Sequence, residues 1–378
     1  MTDDVETASQ ERALLVQVLC DRRSSEEAAD SLFELERLAD TAGAIVIGSI
    51  TQRRDKPTAT FFVGEGKLDD IQLACRKANA NMVIFDNDLS AVQVNNLDLS
   101  LGVKVIDRTE LILQIFARRA RSSEAQIQVE LAQLQYLVSR IPVSEKQQRF
   151  QGGIGMRGPG ESPFQLRNEP MRRRIRQLKK KLEIIQQRSR RTRMRRPWPL
   201  VCLVGYTNAG KSTLLNAFAS ANAYVDDRLF ATLDTKTRLV HLPDGKNVLM
   251  TDTVGFIRHL PHGLVASFRS TLEVAAEANL LLIIADTSHS HLADHLEVVS
   301  ETLKEIEADR VPSILLLNKC DLPTARENLV ELTRSYPDAL PISATRKEGL
   351  VKVKELIAEN LRVAIEKYHS IANQKSKI

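Results

Sequence analysis

The sequence predicts an α/β protein with two alternating regions that are separated by a helical hairpin. Three observations lead to this prediction. Strand and helix patterns alternate over the first 120 residues, two helical patterns flank a glycine-rich stretch at residues 151–161, and alternation resumes at residue 200. Single strands that alternate with single helices are typical of parallel sheets with right-handed crossovers. The length of 378 residues fits two or three domains, and a hydrophobic content of 43% is enough to form their cores.

The first region contains short apolar runs and segments with helical spacing. Strands are predicted at residues 14–20, 44–50, 82–86 and 103–106, with a short strand end at 61–64. Helices are predicted at residues 26–42, 67–79 and 91–101. The segment Gly64-Glu65-Gly66-Lys67 allows two interpretations, a second phosphate site or a tight strand-to-helix turn. It lacks a full phosphate-binding fingerprint, so the turn is the better interpretation.

The middle region predicts an antiparallel helical hairpin. Apolar residues recur every three or four positions from residue 124 to 141, which indicates an amphipathic helix. The glycine-rich stretch 151–161 cannot be regular structure. Pro170 then suits the first turn of a second helix, with Asn168 or Glu169 as its cap. The segment Pro197-Trp198-Pro199 ends the hairpin.

The second arm of the hairpin is strongly basic. Residues 172–196 contain thirteen Lys or Arg and a single acid, Glu183, whereas the net charge of the whole chain is only +5. Such a run is often a solvated helix face, but this density favours contact with RNA or another polyanion. Aromatic residues are not interleaved with the cations, so we expect contact with phosphates rather than base stacking.

The composition excludes several classes of protein. The four cysteines, Cys20, Cys75, Cys202 and Cys320, are far apart, which argues against a disulfide framework or a zinc site. The polar start of the chain is unlike a signal peptide, and no apolar run approaches 18 residues. We therefore expect a soluble, cytoplasmic protein with no membrane span. The histidines are interpreted as surface groups rather than metal ligands; they are His259, His262, His289, His291 and His295.

The third region predicts a sheet that carries a phosphate-binding loop. Strands are predicted at residues 200–204, 238–242, 248–253, 280–286, 313–318 and 339–342. After the first of them, residues 205–212 match the pattern GxxxxGK[ST], and residues 214–219 continue as a helix. In this context Lys211 reaches the β- and γ-phosphates and Ser212 ligates Mg²⁺. The predicted loop contacts are Gly205, Tyr206, Thr207, Asn208, Ala209, Gly210, Lys211 and Ser212.

Three further segments complete a guanine-nucleotide site. Asp252-Thr253-Val254-Gly255 follows a strand, so Asp252 can polarise the Mg²⁺ shell and the Gly255 N–H can bind the γ-phosphate. Asn318-Lys319-Cys320-Asp321 follows another strand. The Asp321 carboxylate can accept hydrogen bonds from guanine N1–H and its exocyclic amine, which adenine does not offer in that arrangement. After the last strand, Ser343, Ala344 and Thr345 can place backbone N–H groups near guanine O6.

A switch segment must supply a threonine for Mg²⁺ between the phosphate loop and Asp252. Residues 230–238 contain Thr232, Thr235 and Thr237, and spacing alone does not choose among them. The predicted contacts in this segment are Phe230, Ala231, Thr232, Leu233 and Asp234. The third region thus predicts a Ras-like P-loop G domain that hydrolyses GTP with Mg²⁺.

The chain resembles the HflX family of ribosome-associated GTPases. The resemblance runs from about residue 41 to the end of the G domain and rests on six stretches taken together: residues 102–109, 129–134, 151–161, 205–213, 229–233 and 252–256. It implies that Thr232 is the switch threonine. It also implies a hydrophobic residue where many GTPases have the catalytic Gln, and Phe256 occupies that position.

Slow intrinsic hydrolysis follows from Phe256, because its side chain cannot orient a water by hydrogen bonding. The resemblance implies that the large ribosomal subunit and its RNA stimulate hydrolysis, and that the protein splits or rescues stalled ribosomes under stress. Two departures stand out. Thr235 replaces the usual Pro in the switch, and residues 162–168 form a small insertion near the hairpin tip.

The predicted domain bounds are 1–120 for the first α/β domain, 121–198 for the hairpin, 199–367 for the G domain and 368–378 for a polar tail. Two other classes stay open besides a monomeric ribosome-binding GTPase. One is an RNA-remodelling enzyme driven by ATP bound to the N-terminal domain, since some HflX members are described as binding ATP there. The other is a GTP-dependent regulator of a protein complex without RNA contact. Asn318 and Asp321 favour guanine and so argue against the first, and the basic arm argues against the second.

Overall fold

The computed structural model describes residues 11–20, 24–140, 163–193, 196–219, 229–230, 232–258 and 272–363. The chain divides into two compact units. One comprises Met1–Arg118 with Val129–Lys179, and the other comprises Arg119–Gln128 with Lys180–Ile378. Each unit contains a largely parallel sheet with helices, which confirms the predicted α/β class.

The first unit is built on a four-stranded parallel sheet with the order β2-β1-β3-β4. Its strands are β1 (Arg12–Leu19), β2 (Ile45–Arg53), β3 (Met82–Phe85) and β4 (Lys104–Asp107). Its helices are α1 (Ser25–Ala42), α2 (Glu65–Ala78), α3 (Ala91–Leu101) and α4 (Arg108–Arg119). The strands predicted at residues 14–20, 44–50, 82–86 and 103–106 and the three predicted helices are therefore confirmed, with small shifts at their ends.

Local sequence signals explain where these helices begin and end. Ser24 caps α1 in a reciprocal capping box with Glu27, and Gly43 ends the helix in the left-handed conformation. Alternate β1 residues such as Val16 and Val18 pack with Ile71 and Leu97 of the flanking helices in one apolar core. The unit thus has a core of its own.

Two predictions for the first unit were wrong. Residues 61–64 form no strand; Thr58 and Phe62 make an isolated bridge, and Phe62 has a φ of 66°. The segment is a turn, because the Thr58 hydroxyl donates to the Val63 carbonyl at 2.7 Å and so closes the turn.

Helix α4 was not predicted at all. It starts at Arg108, directly after the last residue of β4, so no turn residue marks the boundary between strand and helix.

The hairpin region supplies two long helices, α5 (Ser123–Ser139) and α6 (Pro163–Arg193). Arg174 of α6 donates two hydrogen bonds to the Glu130 carboxylate of α5, at 2.7 and 2.9 Å. Pro170 lies inside α6 rather than in its first turn, which corrects the predicted start. The helix begins with Pro163 instead, because a proline needs no hydrogen-bond acceptor in a first turn. The glycine-rich tip lies outside the described residues.

The second unit is built on a six-stranded sheet with the order β10-β9-β8-β5-β7-β6. All neighbours are parallel except the edge strand β6, which runs antiparallel to β7. The strands are β5 (Leu200–Gly205), β6 (Lys236–His241), β7 (Asn247–Asp252), β8 (Leu280–Asp286), β9 (Ser313–Asn318) and β10 (Leu340–Pro341). The predicted strands of this region are confirmed.

Helices cover both faces of this sheet. They are α7 (Lys211–Ala219), α8 (Leu292–Glu305), α9 (Pro323–Ser335) and α10 (Leu350–Asn360). Successive residues of β5 enter different cores, Leu203 on one face and Cys202 on the other, because side chains alternate along a strand. Both faces are apolar, which explains why β5 is a continuous hydrophobic run. Among the described residues, no helix has the length and apolar composition needed to cross a membrane.

Candidate nucleotide-binding site

The phosphate loop joins the carboxyl end of β5 to the first turn of α7. Gly210 has a φ of 97°, and a side chain there would collide with the Asn318 amide. Glycine is therefore needed for both its backbone conformation and its size. The loop also turns at Asn208, with a φ of 60°, a conformation that Asn tolerates better than most residues.

Lys211 points its ammonium group back into the loop. Its Nζ donates to the Gly205 carbonyl at 3.0 Å and to the Tyr206 carbonyl at 2.7 Å. Burial lowers the pKa of Lys211 to about 8, and the nearby Asp252 carboxylate opposes that change. A buried cation held at the mouth of a helix N-terminus is suited to an anionic ligand such as a triphosphate.

Three side chains from separate segments converge beside the lysine. The Ser212 hydroxyl donates to Asp252 Oδ2 at 2.5 Å, and Thr232 Oγ1 donates to the same oxygen at 2.9 Å. The two hydroxyl oxygens are 2.9 Å apart. Spacing alone left three threonines open for this position, and the structure brings Thr232 to it.

These groups form a donor set that suits Mg²⁺. Asp252 Oδ1 is buried and has no hydrogen-bond partner among the described residues, so one carboxylate oxygen is available to a ligand. Burial raises the pKa of Asp252, while Lys211 and the hydrogen bonds from Ser212 and Thr232 act in the opposite direction. Hydroxyl and carboxylate oxygens are the ligands that Mg²⁺ prefers.

The switch glycine Gly255 lies against the phosphate loop. A Cβ at this position would be 2.8 Å from Thr207 Cα and 2.9 Å from Lys211 Nζ, so no larger residue fits. The next residue, Phe256, is hydrogen-bonded through its backbone to Gly205 and Thr207. Its side chain is 2% exposed and packs in the core with Cys202 and Val204, away from solvent.

Asn318 connects the two ends of the site. Its Nδ2 donates to the Ala209 carbonyl at 2.7 Å, and its Oδ1 accepts from the Ala344 N–H at 3.0 Å. The side chain therefore ties the phosphate loop to the loop that carries Ser343 and Ala344. We interpret Asn318 as a framework residue, because both ends of its amide are used by these contacts.

The other predicted base contacts lie around this framework. The Lys319 ammonium forms an ion pair with Asp286 at 2.6 Å, and the Arg346 guanidinium approaches Asp321 at 3.7 Å. The Ser343 hydroxyl accepts from the Arg346 N–H at 3.0 Å. Burial raises the pKa of Cys320, whose thiol donates to the Leu317 carbonyl. Thr345 is exposed.

Several predicted contacts have side chains that point elsewhere. Asp234 accepts hydrogen bonds from the backbone N–H groups of Arg121 and Ser122, at 3.0 and 3.1 Å, and from the Ser122 hydroxyl. The Thr253 hydroxyl donates to the Leu203 carbonyl. The structure buries the apolar side chains of Phe230, Leu233 and Val254. Ala231 lies outside the described residues.

Sequence reasoning missed a contact between the phosphate loop and α8. The Tyr206 ring stacks on the His295 ring, with centroids 3.7 Å apart and planes 6° from parallel. The Tyr206 hydroxyl accepts from the Arg258 N–H at 2.8 Å, and Arg258 forms an ion pair with Asp294. His295 is therefore not a simple surface group as predicted. Burial and the neighbouring His289 lower the pKa of His295 to about 3.

The segment at Gly64 is closed by its own neighbours. The Gly64 N–H donates to Gln52 Oε1 at 3.1 Å, and the Arg54 guanidinium lies where a Gly64 side chain would be. These contacts favour the interpretation of Gly64–Lys67 as a turn that starts α2.

Three protein-family profiles match consecutive parts of the chain. They are described as GTP-binding GTPase N-terminal over residues 29–117, GTP-binding GTPase Middle Region over residues 119–196, and 50S ribosome-binding GTPase over residues 200–319. The boundaries between the matches fall close to α5 and β5.

Curated relatives cover almost the whole chain. The GTPase HflX of Caldanaerobacter subterraneus subsp. tengcongensis is 44% identical over 93% of this chain and 81% of its own length. The GTPase HflX of Escherichia coli (strain K12) is 39% identical over 93% of this chain and 83% of its own length. Among solved structures, the SsGBP and GDP complex has a TM-score of 0.52 and 25% identity, and covers 94% of this chain and 100% of that one.

Proposed function

The chain belongs to the HflX family of GTPases and is a GTP hydrolase, and we propose that it uses GTP to split or rescue stalled ribosomes. In this proposal it works in the cytoplasm as a monomer that binds the large ribosomal subunit. Nucleotide contacts come from the phosphate loop, the switch segments and the Asp321 motif described above.

The observation that carries the proposal is the exposed cationic surface of α6. The helix exposes cationic side chains, namely Arg172, Arg173 and Lys179–Lys181. Its apolar residues Leu178 and Leu182 are buried. A dense row of cations is the electrostatic signature of phosphate-backbone contact. Ribosomal RNA is the polyanion that fits the family description of the G domain.

A second observation supports control by the ribosome. Phe256 stands where a water-positioning residue is expected, and its side chain is buried in the core. Free protein should therefore bind GTP well and hydrolyse it slowly, and a large subunit should accelerate the reaction by ordering the switch or by adding a group.

Mg²⁺ belongs to the same proposal. Ser212 and Thr232 would hold the ion, and Asp252 would orient its hydration shell. The metal supplies positive charge that neutralises the phosphate oxygens during hydrolysis. In the protein, the hydroxyl groups of Ser212 and Thr232 are already turned toward the Asp252 carboxylate, so little rearrangement is needed.

Sedimentation through a sucrose cushion tests subunit binding. The full chain is mixed with large or small subunits in the presence of a non-hydrolysable GTP analogue, GDP or no nucleotide. We expect retention on large subunits, strongest with the analogue. Equal retention in all three states would contradict a nucleotide-controlled interaction.

Hydrolysis and splitting are then measured together. Single-turnover GTP hydrolysis should accelerate when large subunits are added, and ATP should not replace GTP. Whole ribosomes should separate into subunits, detected as a loss of light scattering. Fast hydrolysis by the free protein that ribosomes leave unchanged would refute the proposal.

A further inference from the structure

Thr207 is a buried phosphate-loop residue whose hydroxyl group is unused by the fold. The residue is 7% exposed, and its Oγ1 finds no hydrogen-bond partner among the described residues. Its backbone is held in place, because the Thr207 N–H donates to the Phe256 carbonyl at 2.8 Å. The backbone of Thr207 is thus anchored, while its hydroxyl has no partner in the described part of the chain.

An unpaired buried hydroxyl needs an explanation. Burying such a group without a hydrogen bond is unfavourable, and native proteins contain few of them. Two other buried threonines near the sheet follow that rule. Thr253 donates to the Leu203 carbonyl and Thr287 to the Asn318 carbonyl, at 2.7 and 2.6 Å. Valine has nearly the same shape and would avoid the unpaired hydroxyl at position 207 if packing were the only requirement.

The surroundings place the Thr207 side chain beside Gly255 and the Lys211 ammonium group. A Cβ on Gly255 would lie 2.9 Å from Thr207 Cγ2 and 2.9 Å from Lys211 Nζ, so the threonine side chain and the ammonium group border the same small space. The lysine of a phosphate loop contacts the β- and γ-phosphates. A γ-phosphate bound by Lys211 and the Gly255 N–H would therefore lie next to the Thr207 side chain, whereas the Phe256 side chain is turned into the core.

We propose that the Thr207 hydroxyl positions the water molecule that attacks the γ-phosphorus of GTP. The inference rests on GTP hydrolysis at this site, but not on ribosome binding. The hydroxyl accepts a hydrogen bond from the water and donates a hydrogen bond to a γ-phosphate oxygen. It thereby takes the orienting role for which the Phe256 position has no polar group.

The reaction balances without any further reactant. The water oxygen bonds to the γ-phosphorus while the bond from that phosphorus to the β–γ bridging oxygen breaks. GDP leaves with the bridging oxygen and the electron pair. One water proton passes to a γ-phosphate oxygen, which gives dihydrogen phosphate, and Thr207 keeps its proton throughout.

Three variants of the full chain test the proposal in the absence of ribosomes. Thr207→Val removes the hydroxyl and keeps the shape, Thr207→Ser keeps the hydroxyl, and Thr302→Val is a matched control on α8. The Thr302 hydroxyl bonds the Val298 carbonyl within the helix. The readouts are single-turnover GTP hydrolysis, affinity for GDP and for a non-hydrolysable GTP analogue, and affinity for GDP with aluminium fluoride.

Thr207→Val should slow hydrolysis by at least about 10-fold while both ground-state affinities stay within about twofold. It should also lose affinity for the aluminium fluoride complex, which mimics the transition state and holds a water in the attacking position. Thr207→Ser should stay within about threefold of wild type in rate. Thr302→Val should match wild type in every readout.

Three results would overturn the assignment. They are a wild-type rate in Thr207→Val, a rate in Thr207→Ser as low as in Thr207→Val, or a reduction of analogue affinity that accounts for the whole decrease in rate. Because subunits are absent, failure here would leave ribosome binding untouched. Failure of ribosome binding would likewise leave the role of Thr207 standing.

Discussion

We expect Asp321 to determine the choice of base. It is 15% exposed and lies beside Arg346 in the loop region that follows β9, while Asn318 is occupied with the framework. A carboxylate can accept two hydrogen bonds from guanine, and each charge-assisted bond contributes about 1.5–3 kcal/mol.

Asp321→Asn should therefore weaken GTP binding by about 100-fold or more and strengthen xanthosine triphosphate, whose C2 oxygen needs a donor. Competition against a fluorescent GTP analogue measures both affinities. Asp338→Asn, at an exposed loop position, is the matched control and should bind GTP normally. Wild-type affinity for GTP in Asp321→Asn would show that Asp321 does not bind the base.

His295, which stacks on Tyr206 of the phosphate loop, makes the free energy of unfolding depend on pH. Burial lowers its pKa to about 3 in the folded protein, against an ordinary value near 6.5. Between these values the unfolded chain binds more protons, so the folded state loses stability as pH falls below about 6.5.

His295→Phe keeps a ring on Tyr206 but removes the titration. The free energy of unfolding should then fall less between pH 7.5 and pH 5 than in wild type. Denaturant unfolding, followed by the fluorescence of the single tryptophan, Trp198, gives the values. His241→Phe, at an exposed position of β6, is the control for replacing a histidine by phenylalanine. The same slope in His295→Phe and wild type would contradict the assignment.

At the scale of elements, helix α6 contains cations that are paired with acids and cations that are not paired within the described part of the chain. Arg174 and Arg176 are paired with Glu130 and Glu169, whereas no acid partner is found for Arg173 or Lys180 among the described residues. The latter two are thus better probes of an external polyanion, because their reversal breaks no ion pair within the described part of the chain.

Arg173→Glu combined with Lys180→Glu should weaken binding to large subunits. The salt dependence should become shallower by about one unit of slope for each phosphate that is no longer neutralised. Sedimentation at several salt concentrations measures both effects. Affinity for GTP should not change. Lys352→Glu, on the exposed face of α10, is the control for charge alone. Unchanged subunit binding would favour a merely solvated helix face.

Elements with a clear local signal were predictable from the sequence. Strands β5, β8 and β9 are continuous apolar runs, and β5 and β9 are each followed by a nucleotide motif at the carboxyl end. Helix α4 was missed because it follows β4 without a turn residue, so nothing in the sequence marks its start. Pro170 was misplaced because proline marks a first turn only as a preference, and Pro163 satisfies it earlier in the chain.

Within the site, sequence order brought the motifs together but could not give side-chain directions. Nothing in the spacing shows that Asn318 turns to Ala209 and Ala344, or that Tyr206 stacks on His295 far along the chain. Such contacts depend on how β8, β9 and α8 pack, and that is a tertiary property. The unpaired hydroxyl of Thr207 likewise has no sequence signature.

At the scale of the whole molecule, the two compact units have separate cores, and the phosphate loop belongs to only one of them. A ligand that binds the folded state stabilises the unit that contains its site, by about 2.7 kcal/mol at a concentration 100 times its dissociation constant. The three-part division proposed from the sequence stays a prediction.

GDP should therefore raise the melting temperature of the unit that contains Trp198 and leave that of the other unit nearly unchanged. Scanning calorimetry with and without GDP, combined with tryptophan fluorescence, distinguishes the two. Lys211→Ala is expected to abolish the shift, because the loop loses the cation that the phosphates of the nucleotide need. A shift of both units by the same amount would show that they unfold as one.

The two edge strands of the six-stranded sheet determine whether strands of another molecule can pair with it. On one side, β10 is only two residues long and one of them is Pro341, which has no N–H to offer. On the other side, β6 exposes Lys236 and Arg238, whose like charges oppose a second copy of the same strand. Neither edge strand can form a long run of hydrogen bonds with a strand of another molecule. The folded G domain should therefore resist fibril-type association even when it is concentrated.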